Sequence, residues 1–482
     1  MTAVINPAAT TAGGTAAPVR SAAPSAGAYA NSGNGPSLLP LDIGHADYLA
    51  LTDPATAFWA LVRKERLAEA LGEGPLLAGY REKSAAFGRE LHALRFELKP
   101  SAAYVNPTER CNLNCTYCYI PEGMRRNGSH MAADRLQEAL GRLKTYFAAT
   151  MPAGRLPRII FHGAEPLMNQ QALFPAIAAF KDDFVFGVQT NATLLDTAAI
   201  DFLAGHGVSI GLSLDGPLAE TTDATRLTFG GKSVHDKVLA AMDALKGYAS
   251  WSVIATCTEK NLDQLVPLVE LFHAREVPTC MLNAVRCTLP GARTVRPDDA
   301  ALANRFIAAL ERTHQLYRES GRKLVVANFA NILLAILAPT ARRLMCDISP
   351  CGGGRAFFAL APDGGLFPCS EFIGLDDFRG GNLFSDDIDA VLQSDAFRKV
   401  TGRNVDAITP CSTCAIRHFC GSPCPAEAHE MNGGMDRVGA FCGFYEEQTR
   451  YAFRLIADGK ADDFLWDGWK DGTESSFDLM LA

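Results

Sequence analysis

Cys111-Asn112-Leu113-Asn114-Cys115-Thr116-Tyr117-Cys118-Tyr119 sets three cysteines at C-x3-C-x2-C on a short loop. Three thiolates at this spacing can converge on one face of an iron–sulfur cube. A [4Fe–4S] cube ordinarily takes four protein thiolates. With three, one iron keeps an open coordination position, where a substrate or cosubstrate binds. Asn112 and Asn114 punctuate the loop, and Tyr117 and Tyr119 give it aromatic walls. The competing reading is a zinc knuckle. Structural zinc takes a closed set of four ligands, and no nearby His or Cys completes one here: the next cysteine is Cys257.

Outward from this loop, apolar strands alternate with amphipathic helices from Ser101 onward. The apolar runs predict strands at Tyr104–Asn106, Arg158–His162, Phe184–Gln189, Val208–Leu214, Ser252–Cys257 and Cys280–Val285. Helices are expected near Ala132–Ala149, Gln170–Lys181, Asp196–Ala204, Val234–Lys246, Leu262–Ala274 and Asp298–Tyr317. Strands separated by helices imply parallel crossovers. Six such units make an α/β fold, an open (β/α)6 TIM-like partial barrel over residues 101–335. Ligands of parallel barrels gather at the carboxyl ends of the strands, and the Cys111 loop follows the first strand.

Residues 1–38 are rich in Ala, Gly, Ser, Thr and Pro and nearly devoid of charge. Such a segment buries too little surface to offset the entropy of ordering, so a disordered tail is expected. Over 39–100, Phe58, Leu61, Val62, Leu67, Leu71 and Leu76 recur near helical spacing. This predicts a helical extension covering a barrel edge, with peptide recognition as the alternative.

The chain has 482 residues, 48% hydrophobic content and a formal charge of −8. That length calls for two or three domains, and the charge gives no footprint for nucleic acid. No uninterrupted apolar run reaches membrane-spanning length, and the N-terminus lacks the pattern of a signal peptide. Fourteen cysteines in a chain this long, grouped as C-x2-C pairs, point to metal in a reducing compartment. The expectation is a cytoplasmic protein.

A second cysteine field follows the barrel: Cys346, Cys351, Cys369, Cys411, Cys414, Cys420, Cys424 and Cys442. Ala356–Leu360, the turn Pro362-Asp363-Gly364-Gly365 and Leu366–Pro368 predict a β-hairpin that returns Cys369 near Cys351. Eight ligands suffice for two closed four-thiolate sites, of zinc or of iron. Cys257 and Cys280 read as buried core; Cys287 is left open.

At the Cys111 loop the chain resembles the radical S-adenosylmethionine (SAM) enzymes. In that family the open iron binds SAM, and reductive cleavage yields a 5′-deoxyadenosyl radical that takes a hydrogen atom from substrate. The resemblance makes Cys111, Cys115 and Cys118 the catalytic cluster ligands and places Tyr117 at the cofactor site. His162-Gly163-Ala164-Glu165-Pro166 resembles the family's Gly-Gly-Glu-Pro motif, implying SAM contacts from Gly163, Ala164 and Glu165. Ala164 stands where the second glycine is usual and loses ready access to φ > 0. Asn191 at the third strand end, Ser213 at the fourth and Arg226 beyond it are implied SAM contacts as well. Arg suits a carboxylate because its fork matches one bidentately.

The field over 336–455 resembles the SPASM extension of radical SAM peptide maturases, which houses two auxiliary [4Fe–4S] clusters. The resemblance assigns Cys346, Cys351, Cys369 and Cys424 to the first and Cys411, Cys414, Cys420 and Cys442 to the second. Residues 456–482 are read as a C-terminal tail. The implied activity is that of a radical SAM oxidoreductase modifying a ribosomally made peptide, forming a thioether or another crosslink. A reducing donor such as flavodoxin or ferredoxin is the implied partner. Sulfatase-maturing relatives carry Asp after the third SPASM cysteine; here Ser370 and then Glu371 follow Cys369. Side-chain oxidation of that kind is one alternative. A non-catalytic electron carrier or redox sensor, with zinc in the tail, is another.

Overall fold

The computed structural model describes residues 38–421 and 424–469. Strands β1 (Leu39–Leu41), β2 (Tyr48–Asp53) and β3 (Phe58–Arg63) form an antiparallel meander. The helical reading of residues 39–100 is therefore corrected over its first part, and helices begin only at Leu67–Leu71 and Pro75–Phe96. The apolar run of β3 is buried on two sides. Trp59 and Leu61 pack toward the barrel, and Phe58 and Val62 toward Leu77 and Tyr80. A short strand covered on both faces loses its period-2 signature and resembles one helix stripe. The expectation for residues 1–38 lies outside the described residues, except for Leu38, which is buried beside Leu49 and Leu51.

The six expected barrel strands are present: β4 (Ala102–Val105), β5 (Arg158–Phe161), β6 (Val185–Thr190), β7 (Ser209–Ser213), β8 (Trp251–Cys257) and β9 (Thr279–Ala284). They pair in parallel and in sequence order. The expected helices lie between and after them, including Ala133–Thr150 and Asp299–Ser320. Asp298 caps the latter with its carboxylate on the Ala300 and Ala301 amides, and Gly321, at φ 72°, ends it.

Four further strands extend this sheet. β10 (Val325–Val326) adds to β9. On the other edge, β11 (Phe357–Leu360) pairs in parallel with β4, in register Phe357 to Ala102. β12 (Gly365–Phe367) and β13 (Gly381–Asn382) follow as antiparallel neighbours. The hairpin expected after Cys351 thus forms, and it continues the barrel's own sheet into the cysteine field. Phe358 of β11 is fully buried and lies nearly parallel to Phe147, ring centres 6.3 Å apart.

The N-terminal unit covers this junction. Leu94 packs with Ala102 and Phe357, and Trp59 donates to the Ile336 carbonyl at 2.7 Å. Beyond the helix Cys442–Ala457, residues 461–466 dock on the core: Leu465 is fully buried and Trp466 donates to Thr279 Oγ1 at 3.3 Å. The C-terminal tail expected over 456–482 is therefore packed as far as the described residues run, and 470–482 lie outside them. Among the described residues no helix is long and apolar enough to cross a membrane.

Truncating Phe358 to Ala should remove about 3–5 kcal/mol of stability, because the sheet cannot collapse around the gap. Chemical denaturation should show a correspondingly lower midpoint, and an unchanged midpoint would contradict this packing.

Candidate active site

The cysteine loop leaves β4 and is pinned by its backbone to the segment after β7. Asn114 N–H donates to the Leu227 carbonyl at 2.8 Å and Thr116 N–H to Thr225 at 2.9 Å. Arg125, buried, braces the loop from inside. Its Nε reaches the Ile120 carbonyl at 2.9 Å, and Nη1 reaches the Leu113 carbonyl at 3.1 Å and Asn114 Oδ1 at 2.9 Å. The Leu113 amide points at Cys111 Sγ from 3.4 Å. Tyr117 donates its hydroxyl to Asp215 and accepts from Arg226 Nη2, while Arg226 Nε meets Asp215 Oδ2 at 3.1 Å. Asp215 is fully buried and also takes the Thr256 amide at 3.0 Å. One carboxylate therefore ties the loop, β7 and β8 together.

At the end of β5, Gly163 has φ 106°, and a Cβ there would lie 2.3 Å from Asn106 Nδ2. Only glycine fits. Ala164 is outside the left-handed region, so the missing second glycine causes no backbone strain. Glu165 is fully buried. Its Oε1 accepts from the Leu167 amide at 3.0 Å and Thr190 Oγ1 at 2.7 Å, and its Oε2 from the Asn191 amide at 2.7 Å. Burial lifts this carboxyl to about 7, against those hydrogen bonds. Asn191 in turn donates to Asn112 Oδ1 at 2.9 Å and faces Cys111 Sγ at 3.8 Å. Ser213 stands half-buried at the end of β7.

Several buried polar atoms here have no partner among the described residues: Asn106 Oδ1, His162 Nδ1, Tyr119 OH, Ser370 Oγ and Glu371 Oε2. Burying such groups unpaired is unfavourable. A polar cosubstrate and substrate seated at these strand ends would supply their partners, so the residues fit SAM. Burial lowers the His162 imidazole to about 4, which leaves it neutral.

The eight later cysteines fall into two groups. Cys424 packs with Cys351 and Cys369, and Cys346 lies in the field of both Cys351 and Cys369. Cys411, Cys414, Cys420 and Cys442 line a single pocket. Amides point at thiols here too: Gly353 N–H at Cys351 Sγ and Glu427 N–H at Cys424 Sγ, both at 3.4 Å. Among the described residues no three His, Cys, Asp or Glu side chains are grouped to hold a single metal ion. Ligands of a cube are spread around it and need not meet at a point. Burial pushes Cys111 and Cys346 up to about 12, and Cys115 and Cys442 to about 11. Thiolate formation at these depths has to be coupled to metal binding.

Glu371 links the two regions. It lies in the field of Cys118 and Tyr119 on one side and Cys369 on the other, and burial lifts its carboxyl to about 7. Glu427 forms a second link, taking the Cys287 amide at 2.8 Å and the Ala440 amide at 3.2 Å. Cys287, left open by the sequence, is thus a buried residue of the joint between barrel and cysteine field. Cys257 and Cys280 are fully buried core. Sequence reasoning missed Arg125 and the role of Asp215. Asp215 sits in the turn Ser213-Leu214-Asp215-Gly216-Pro217, a signal the sequence carries, whereas Arg125 carries no pattern.

A parallel sheet with a three-cysteine loop at its carboxyl end and two further cysteine groups define the class. Residues 105–272 match the radical SAM superfamily and residues 351–415 the SPASM iron–sulfur cluster-binding domain. The chain belongs to the radical SAM superfamily, carries a SPASM domain, and uses SAM and iron–sulfur clusters. An uncharacterized protein of Archaeoglobus fulgidus is 40% identical over 86% of this chain and 93% of its own length. The cysteine-type anaerobic sulfatase-maturating enzyme of Clostridium perfringens is 22% identical over 74% of this chain and 98% of its own. Two solved structures share the fold. Native anSMEcpe with bound AdoMet and Cp18Cys peptide has a TM-score of 0.63 at 18% identity, covering 76% of this chain and 99% of its own. Streptococcus suis SuiB bound to precursor peptide SuiA has a TM-score of 0.56 at 13% identity, covering 84% and 100%.

Gly163→Ala should weaken SAM binding by at least about tenfold, or ~1.4 kcal/mol. Ala164→Gly should leave it within about threefold, ~0.7 kcal/mol. Equilibrium binding to the anaerobic protein measures both. Asp215→Asn leaves a buried Arg226 without its charge partner and should cost about 3–5 kcal/mol, read as a lower denaturation midpoint.

Proposed function

We propose that this protein modifies a ribosomally made peptide, closing a new bond in it oxidatively. Of the bonds consistent with this reading, a thioether between a cysteine sulfur and a carbon comes first. The observation that carries the proposal is the grouping of the eight later cysteines into two sets of four, with Cys424 beside Cys351 and Cys369. Four thiolates apiece close both auxiliary sites, which favours electron uptake from the substrate over substrate ligation there. Cys346, Cys351, Cys369 and Cys424 would hold one auxiliary cluster, and Cys411, Cys414, Cys420 and Cys442 the other. Cys111, Cys115 and Cys118 would hold the cluster that binds SAM. That cluster and SAM, when bound, supply abstraction of a hydrogen atom from an unactivated carbon.

The chain's own residues do the rest. Tyr117, Asp215 and Arg226 hold the loop rigidly against the strand ends. Gly163 and Ala164 offer backbone to the SAM amino group, with Asn191, Ser213 and Arg226 around its remaining polar groups. Tyr119 and Glu371 each have a buried oxygen with no partner among the described residues and lie in the field of Cys118 on one side and Cys369 on the other, with Ser370 adjacent in the chain. They would orient the substrate residue there. That SuiB and anSMEcpe are each known with a bound peptide supports a peptide as substrate. A flavodoxin- or ferredoxin-like protein in a reducing, cytoplasmic setting would deliver electrons.

One observation favours a second reading. Glu371 places a carboxyl group beside Cys118 and Tyr119 even though Ser370 follows Cys369. The likeness to sulfatase-maturating enzymes then extends to side-chain oxidation, with Glu371 as proton acceptor.

The test is anaerobic reconstitution followed by incubation with SAM, a reductant and the short cysteine-rich peptide encoded nearest the gene. Iron and sulfide should each reach about twelve per chain, and the peptide should lose the mass of two hydrogens. Cys411→Ala should leave SAM cleavage measurable while the product disappears. Undiminished product from that variant would sink the proposal. Oxidation of a sulfatase-derived peptide in place of crosslinking would favour the second reading.

A further inference from the structure

Arg403 is buried at the edge of the second cysteine field, just after the helix Asp395–Thr401. Its fork is held by backbone: Nε donates to the Met435 carbonyl at 2.9 Å and Nη2 to the Arg437 carbonyl at 3.2 Å. Both carbonyls belong to the stretch between Cys424 and Cys442. The main chain at Arg403 is fixed as well. Ser349 Oγ donates to its carbonyl at 3.3 Å and accepts from the Val405 amide at 3.0 Å. Val400, three residues before Arg403, clusters with Cys351, Cys369 and Cys424, and Val405, two residues after it, clusters with Cys411. The guanidinium lies in the field of Cys351 and Cys424 of one set and of Cys411 and Cys420 of the other. Arg355 differs. It is also buried and held by carbonyls, those of Cys351, Leu94 and Pro350, but Cys351 is the thiol in its field.

We propose that Arg403 is a positioning residue that fixes one positive charge between the two auxiliary sites and raises the reduction potential of both. The inference rests on the assignment of those sites to clusters. A cube with four thiolates carries net negative charge, and reduction by one electron makes it more negative. A cation held nearby in a low-dielectric interior favours the reduced form. Because the fork is immobilised by backbone carbonyls, the charge does not reorganise when the site changes oxidation state.

The experiment uses the full-length holoprotein with Cys111, Cys115 and Cys118 replaced by Ala, so that the auxiliary sites alone are read. Iron content and the midpoint potentials, from an EPR-monitored redox titration, are compared for this parent, Arg403→Gln, Arg403→Lys and Arg355→Gln. The parent should hold about eight irons per chain. Arg403→Gln should shift both midpoints to more negative values and Arg355→Gln only one, whereas Arg403→Lys should stay near the parent. Unmoved midpoints in Arg403→Gln with iron intact would overturn this inference alone. So would a shift in Arg403→Lys as large as that in Arg403→Gln, since shape and not charge would then be responsible. If Arg403→Gln loses its iron, retention in Arg403→Lys supports the charge and loss in both refutes it. A parent without auxiliary iron would overturn the cluster assignment and this inference together.

Discussion

Buried positive charge held by backbone carbonyls is the constraint around which this protein is built. Arg125 stands under the Cys111 loop, and Arg355 and Arg403 under the later cysteines; each donates to main-chain oxygens, and Arg125 also to Asn114 Oδ1. A guanidinium in such a place without an anion nearby is expensive. The thiols around it are pushed upward by burial and stay neutral until metal takes their protons. Thiolates bound to iron would balance these arginines in an interior where each charge alone is unfavourable.

The same economy of parts explains why barrel and cysteine field form one body. β11 pairs with β4, so the first barrel strand and the hairpin flanked by Cys351 and Cys369 share a sheet. Glu427 joins the end of β9 to the helix that Cys424 opens. Arg95, from the N-terminal helix, reaches the Ser349 carbonyl at 2.7 Å and Asp406 at 2.9 Å. Three segments far apart in sequence therefore fix where Cys346 and Cys351 stand. Glu371, carried on the loop after β12, reaches the neighbourhood of Cys118 only because that shared sheet brings it there.

Much of the fold was legible because barrel strands and helices have distinct periods. β4 to β9 were found within two or three residues at their ends, and the hairpin at Phe357–Phe367 was readable from its Asp-Gly turn. Among the candidate site residues, Gly163 has the positive φ and close approach that require glycine. Ala164 carries no strain in place of a glycine, since the positive φ falls on Gly163. The N-terminal meander was misread, because β3 is covered by Tyr80 and Leu77 on one side and by the barrel on the other. That two-sided burial erases alternation. Arg125, Arg355 and Arg403 were invisible, since an arginine in sequence looks alike whether it faces water or a buried thiol.

Sequence alone determined the chemistry available here: three thiols spaced to leave an iron open, eight more in number enough for two closed sites, and an alternation that only a parallel barrel satisfies. Those are local properties, set by ligand count, spacing and side-chain period. Tertiary structure decided which thiols come together, which charges lie near them, and that Glu371 comes close enough to Cys118 to act on it. Such relations depend on contacts between residues hundreds of positions apart, and no local pattern encodes them.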